Sequence, residues 1–148
     1  MENLYDKDVS ELMISSEKVA HVHLDHPLEH ALLVLTKSGY SAIPVVDSSF
    51  KLKGLISMTL ILDSILGIER IETEKLADKR VKDVMNSVVP SIQEHESFFN
   101  GLKLSINHPF LCVVDEKGTF TGIVTRRTIL KFINRFLHEN NREFVRPS

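Results

Sequence analysis

The chain has 148 residues, 43% of them apolar and 26% charged, enough for one compact domain or two small ones sharing a core. That balance excludes a disordered, collagen-like or membrane-spanning protein. A formal net charge of −2 supplies no basic field for nucleic acid. The single cysteine, Cys112, excludes an internal disulfide and a Cys-based zinc site. The opening MENLYDKDVS lacks the basic and apolar stretches of a signal peptide, and the longest greasy run, Leu60 to Ile68, is broken by Asp63 and Ser64. A cytoplasmic protein without membrane association is the expectation.

Val9-Ser-Glu-Leu-Met13 begins the readable pattern. Val19 to Leu24 has strand composition, with Val19, His21 and His23 on one face and Ala20, Val22 and Leu24 on the other. Pro27 suits the first turn of a helix carrying Leu28, Ala31, Leu32 and Leu35 at helical spacing, and Gly39 reads as its C-cap. Ala42 to Val46 and Leu52 to Ile56 read as paired buried strands around an Asp-Ser-Ser turn. Ser57 stands where an N-cap belongs, before a helix through Leu66. Residues 67–80 hold eight charged residues in fourteen and read as a solvated linker with a helical turn.

The same order then returns. Val81-Lys-Asp-Val-Met85 echoes Val9 to Met13 at an offset of 72 residues, and Phe98, Gly101 and Leu102 echo Leu28, Ala31 and Leu32 at 70. Val113-Val-Asp115 and Gly122-Ile-Val-Thr125 echo Val45-Val-Asp47 and Gly54-Leu-Ile-Ser57 at 68. A closing helix from Arg126 to about Glu139 gathers Ile129, Phe132, Ile133 and Phe136 on one face. Repeat 1 is therefore 8–66, repeat 2 is 81–138, and 139–148 is a basic C-terminal tail.

This duplicated strand–helix–strand–strand–helix pattern resembles the CBS domain pair. Val9-x-x-Leu-Met13, Ala42-Ile-Pro-Val-Val-Asp47, Gly54-Leu-Ile-Ser57 and their second copies carry the resemblance. It implies an α+β fold in which two pseudo-symmetric β-α-β-β-α units pack around a central cleft, and a disc-like homodimer. More narrowly, Lys18-Val-Ala-His-Val22, Leu28 to Lys37, Gly39-Tyr-Ser-Ala-Ile-Pro44 and Thr125-Arg-Arg127 are similar to the stand-alone CBS-pair receptors for cyclic di-AMP of Gram-positive bacteria. Nucleotide-free receptors of that kind bind the bifunctional (p)ppGpp synthetase/hydrolase of the stringent response, which the resemblance implies as a partner.

The residues themselves point to an anion. Thr125 reads as the N-cap of the last helix, so Arg126 and Arg127 stand in its first turn, where the helix macrodipole disfavours cations. An anion docked at that helix start accounts for both arginines; two solvated arginines with carboxylate partners are the alternative. In the CBS-pair arrangement Lys18, with Val19 and Ala20 after it, borders the same cleft. Tyr40 offers a flat face for a purine, or is a half-buried core aromatic with its hydroxyl at the surface. Ser41 offers a hydroxyl, and Ala42, Ile43 and Pro44 complete that wall with backbone groups for a base edge. In the other cleft the corresponding positions are Val88 to Pro90, Met58-Thr59 and His108-Pro109, so one cleft gathers three cations and the other at most a histidine. One occupied site per chain follows. CBS modules for AMP or ATP usually carry Asp where this chain has Leu60 and Thr128, and a ribose diol then lacks its acceptor. Cyclic di-AMP, with two phosphates and esterified 3′-oxygens, fits better; an AMP/ATP sensor and a constitutive scaffold are the alternatives.

Other chemistry is set aside. His21-x-His23 has no accompanying metal-ligand set, His26 reads as a helix cap before His30, and Cys112 lies in an apolar run. No catalytic motif, metal or cofactor is expected. Arg135, Arg142 and Arg146 read as a solvated basic end rather than a DNA contact, and Phe144 and Val145 as a docking segment on the domain or a partner. Leu33, Val34, Leu62, Ile65 and Leu66 widen the apolar faces of the first two helices, as a surface meeting a second chain would.

Overall fold

A computed structural model describes residues 6–144, with side chains described from residue 6 to residue 139. The elements are β1 (Ile14–Ser15), β2 (Val22–His23), α1 (Leu28–Ser38), β3 (Ala42–Val46), β4 (Leu52–Ser57), α2 (Met58–Ile65), α3 (Lys75–Asp78), α4 (Val81–Val84), β5 (Ser91–Gln93), α5 (Phe98–Ser105), β6 (Phe110–Val114), β7 (Phe120–Thr125) and α6 (Arg126–Phe144). Short 3-10 turns occupy Val9–Glu11 and Ser16–Lys18.

The duplication is visible in the ladders. In one sheet, ordered β2-β3-β4, β2 runs parallel to β3 and β3 antiparallel to β4; in the other, ordered β1-β7-β6-β5, the same relation holds for β5, β6 and β7. Even the irregularities repeat, with the register shifting between Val45 and Val46 and again between Val113 and Val114. Asp47 and Asp115 fold both hairpin turns alike, each carboxylate accepting two backbone N–H groups, from Ser49 and Lys51 or from Lys117 and Thr119.

Two hydrophobic cores result, and each borrows from the other repeat. Val22, Leu28, Ala31, Leu35, Ile43, Val45, Ile56 and Ile61 pack with Val81, which opens the second repeat. Conversely Val9, which opens the first, packs with Ile92, Phe98, Leu111, Val113, Val124, Ile129 and Phe132. The leading segments cross over. That exchange explains two motifs at once: a Cβ on Gly122 would lie 2.3 Å from Ile14 O, and one on Gly54 would lie 2.7 Å from Asn86 O. Glycine is required where the residue after each Val-x-x-x-Met segment passes over the partner repeat's sheet. Val19, Val46, Cys112, Phe120 and Ile123 form a third cluster that joins the units.

Three expectations need correction. The strand expected over Val19 to Leu24 contracts to Val22–His23. Its ladder ends because the next nitrogen in line belongs to Pro44, which carries no hydrogen; at the matching place in the second unit Cys112 N–H donates to Pro90 O at 3.1 Å, and β5 is a residue longer than β2. The final helix continues through Phe144, so the expected tail begins as helix; Val145 and Arg146 lie outside the described residues. His26 is not the cap of α1, a place taken by Pro27; its Nδ1 accepts the His23 N–H at 3.1 Å and closes the turn before the helix. Other caps are as expected: Gly39 adopts φ 78° behind α1, and Ser57 accepts the Leu60 N–H at 3.1 Å. The charged linker includes the helical turn α3, whose Leu76 packs against the first core.

Candidate functional site

Where the two units meet, a cavity of about 260 Å³ opens at the starts of their strands. The first unit supplies Val19 and Ala20 ahead of β2, Tyr40 and Ser41 between α1 and β3, and Ala42, Ile43 and Pro44 in β3 itself. The second unit closes it with Pro109, Phe110, Ile123 and Thr125. The walls are mostly aliphatic and aromatic, with the hydroxyls of Tyr40, Ser41 and Thr125 and the backbone as polar groups. Tyr40 is 47% exposed, which leaves its ring half free at the wall.

Eight of the eleven residues expected at a site therefore line one cavity. Pro109, Phe110 and Ile123 were not among them, although Pro109 and Phe110 stand 68 positions after Ser41 and Ala42. Sequence places Pro109 in the second cleft; the structure places it in the first, because the unit walls face each other and each cleft takes residues from both. The backbone repeats this symmetry: Met58 N–H donates to Ser41 O at 3.0 Å, and Arg126 N–H to Pro109 O at 2.9 Å.

The three cations lie outside the lining. Lys18 is exposed, one residue before the cavity wall. Thr125 caps α6 as expected, its Oγ1 accepting the Thr128 N–H at 3.1 Å while its own hydroxyl donates to Thr128 Oγ1 at 2.9 Å. The two arginines that follow then separate. Arg126 Nε donates to Ser105 O at 2.7 Å and its Nη2 to Ile106 O at 3.4 Å. A cation at the start of α6 is thus also a cation at the carboxyl end of α5, where the helix dipole favours it. The partners of Arg126 among the described residues are backbone carbonyls rather than a carboxylate. Arg127 remains exposed, without a hydrogen-bond or ion-pair partner among the described residues, in a groove shared with Pro109, Arg126, Leu130, Lys131 and Asn134. Pro109 belongs to both groove and cavity, so the groove that holds Arg127 adjoins the cavity.

The remaining reactive side chains do not converge here. Cys112 is buried and its thiol is pushed up to about 12 by loss of hydration, which makes it an inert packing group. His21 lies near His23, with ring centroids 6.2 Å apart, and packs edge-on to Phe50 at 5.0 Å. Among the described residues no group of three His, Cys, Asp or Glu side chains is placed to hold a metal ion, and no helix is long and apolar enough to cross a membrane.

Comparison with known proteins places the chain among relatives. The CBS domain family matches residues 9–67 and 81–135. Over 141 residues, 95% of this chain and 96% of the relative, the chain is 44% identical to cyclic di-AMP receptor B of Bacillus subtilis (strain 168). Among solved structures it is similar to the CbpB protein of Listeria monocytogenes in complex with c-di-AMP, at 55% identity and TM-score 0.81, covering 88% of this chain and 97% of that one. A CBS domain-containing protein of unknown function from Bacillus anthracis is similar at 55% identity and TM-score 0.84, covering 89% and 96% of the two chains.

Proposed function

From the premise that this chain belongs to the CBS domain family, whose repeat it carries twice, we propose that it is a receptor for cyclic di-AMP, bound in the cleft between its units. The observation that carries the reading is the pairing of an apolar, backbone-lined cavity with an unpartnered arginine, Arg127, in the adjoining groove. The names of the Bacillus subtilis and Listeria monocytogenes relatives support the same ligand. We take the repeats as 8–66 and 81–138, flanking the linker 67–80.

The cavity is small for a whole cyclic dinucleotide. At about 260 Å³ it falls just below the ~300–1,000 Å³ of pockets that enclose drug-sized ligands. One base and its ribose enter; the phosphates stay at the mouth, beside Arg127 and the Lys18 side. With Arg126 bound to α5, two cation–phosphate contacts contribute about 3–6 kcal/mol, and micromolar affinity requires roughly −8 kcal/mol. Base burial against Tyr40, Ile43, Pro44 and Phe110 supplies the difference. Leu60 and Thr128 offer no carboxylate to a ribose diol, which favours the cyclic dinucleotide over AMP or ATP.

The protein acts by binding, in the cytoplasm and as a homodimer. Leu33, Leu62 and Leu66, on α1 and at the end of α2, are 54%, 46% and 58% exposed and form the face for the second copy. Ile65, expected on that face, is 5% exposed and so is buried within the chain, and Val34 packs half-buried against the first core. Output passes through a regulated protein, the (p)ppGpp synthetase/hydrolase that the family resemblance implies, by a ligand-driven shift between conformations.

A thermal-shift panel with cyclic di-AMP, cyclic di-GMP, AMP and ATP tests the ligand. Ligand at a hundred times its dissociation constant adds about 2.7 kcal/mol, or roughly 5–10 °C for a chain of this size. The expected result is a shift with cyclic di-AMP and none with cyclic di-GMP. A shift with AMP or ATP alone makes the protein an energy sensor, and a flat panel makes it a scaffold.

A further inference from the structure

Phe50 is the one non-glycine residue in the left-handed region among the described residues, at φ 62°. It closes the first unit's hairpin turn, its N–H donating to Asp47 O at 2.9 Å. Gly118, 68 positions later, closes the matching turn at φ 85° with its N–H on Asp115 O at 3.1 Å. Glycine is what such a turn favours, and a bulky side chain there is strained. The second unit keeps that rule and the first breaks it, so something other than the turn holds a phenylalanine at position 50. The surroundings differ as well. A Cβ on Gly118 would meet nothing within 4 Å, whereas the Phe50 ring packs edge-on to His21 at 5.0 Å and lies 5.9 Å from the ring of Phe120.

Those contacts join the two units. β3 and β6 begin at the cavity and end at these turns, where the backbones of the units pair. Phe120 N–H donates to Phe50 O at 2.9 Å, Leu52 N–H to Gly118 O at 3.1 Å, and Lys51 bridges to Thr119. The Phe50 ring lies against the third hydrophobic cluster, two of whose members line the cavity: Val19 in the first unit's wall and Ile123 in the second's. His21 ties the ring to the first wall by another route, since its Nδ1 donates to Val19 O at 3.0 Å. The ring thus backs both walls at once, and the backbone it strains is the one that stitches unit to unit.

We propose that Phe50 is a positioning residue for the ligand: its ring, held in place against backbone strain, fixes the separation of the two cavity walls. The inference rests on the cyclic di-AMP reading and deepens it. Phe50 is absent from the cavity lining and acts through Val19 and Ile123, which are part of it. Two units free to spread hold the spacing that fits a ligand for only a fraction of the time, and apparent affinity falls by that fraction. Aromatic packing between the turns keeps the fraction high. Glycine at position 50 relaxes the turn but removes the ring, which accounts for strain in one hairpin and its absence from the other.

Three variants of the full-length chain test it, each read by calorimetric titration with cyclic di-AMP and by urea unfolding. Phe50→Gly removes both ring and strain, Phe50→Ala removes the ring and keeps the strain, and Phe50→Tyr keeps both. The two variants without the ring are expected to bind cyclic di-AMP about tenfold more weakly than the parent, by the same factor. Their stabilities differ all the same, with Phe50→Gly unfolding at a higher urea concentration than Phe50→Ala. Phe50→Tyr is expected to bind as the parent does. A merely structural role lowers stability and leaves the affinity of the folded chain untouched. Undiminished affinity in Phe50→Gly or Phe50→Ala therefore overturns the proposal and leaves the receptor reading standing. So does a loss in Phe50→Tyr as large as theirs. A parent chain that does not bind cyclic di-AMP overturns both readings.

Discussion

His26 carries a pH dependence that its geometry makes specific. Its Nδ1 accepts the backbone N–H of His23, so protonation there breaks the turn that leads into α1. His30 and His23 crowd it, with ring centroids 4.2 Å and 5.2 Å away, and the crossing segment adds Lys82, paired with Asp25 at 3.0 Å, and Arg80, whose guanidinium donates to Asp25 O. Burial first, then His30 and His23, hold the imidazole below its ordinary value of 6.5, with Asp25 opposing. The unfolded chain therefore takes up this proton at a higher pH than the folded one. Stability from the neutral ring is complete above pH 6.5 and is lost as pH falls from there through the folded value. A His26→Asn variant keeps an acceptor for the His23 N–H but cannot titrate. Its melting temperature is expected to fall less than the parent's between about pH 7.5 and pH 5.5; parallel pH profiles for the two chains refute the assignment.

At the level of elements, the two copies of the first helix end differently. Behind α1, Gly39 turns left-handed and its N–H closes onto Leu35 O at 3.0 Å. Behind α5, Ile106 stays right-handed, and the closing bonds from Ile106 to Lys103 O and Asn107 to Leu104 O stretch to 3.4 Å and 3.3 Å. Arg126 supplies the missing cap from across the unit. Arg126→Ala is therefore expected to cost about 1–2 kcal/mol in urea unfolding. Arg127→Ala, with no partner to lose, leaves stability unchanged but weakens cyclic di-AMP by tenfold or more and flattens the salt dependence of its binding. If Arg126→Ala flattens that salt dependence instead, the roles of the two arginines are reversed. Much of this element structure is legible in the sequence, because side chains announce it: the Gly39 and Thr125 caps, the Asp-led hairpins, the apolar stripe of α6. That the contacts of Arg126 are not legible has an equally physical cause. Its partners are backbone carbonyls at the end of another helix, and carbonyls leave no mark in a sequence. The gap opposite Pro44 escapes for the same reason, since it is an absence in a ladder whose register only the fold reveals.

For the whole molecule, the duplication is plain in the sequence but the exchange of leading segments is not. Each Val-x-x-x-Met segment has the same apolar pattern whether it packs under its own repeat or the other's, so periodicity cannot choose. The structure chooses the crossed arrangement: Val81 is fully buried in the first core and Val9 nearly so in the second. Val81 N–H and Lys82 N–H tie the crossing segment to His26 O and Leu24 O at 2.8 Å and 3.0 Å, while Val9 and Ser10 bond to Glu96 O and Glu94 O at 3.1 Å and 3.0 Å. A ligand held between the units therefore presses on two walls, one from each repeat, each backed by a core that contains a piece of the other. The crossing also dictates where damage spreads. Truncating Val9 or Val81 to alanine removes two methyl groups from a closed core and is expected to cost about 1–3 kcal/mol each. Read by site-resolved hydrogen exchange, Val9→Ala should release β5, β6 and α5 first, on the far side of the chain from the substitution. Val81→Ala should release β3 and α1. If Val9→Ala instead loosened β3 and α1, each repeat would be closing its own core, and the cleft between the units would lose the shared scaffold that holds its two walls at a fixed distance.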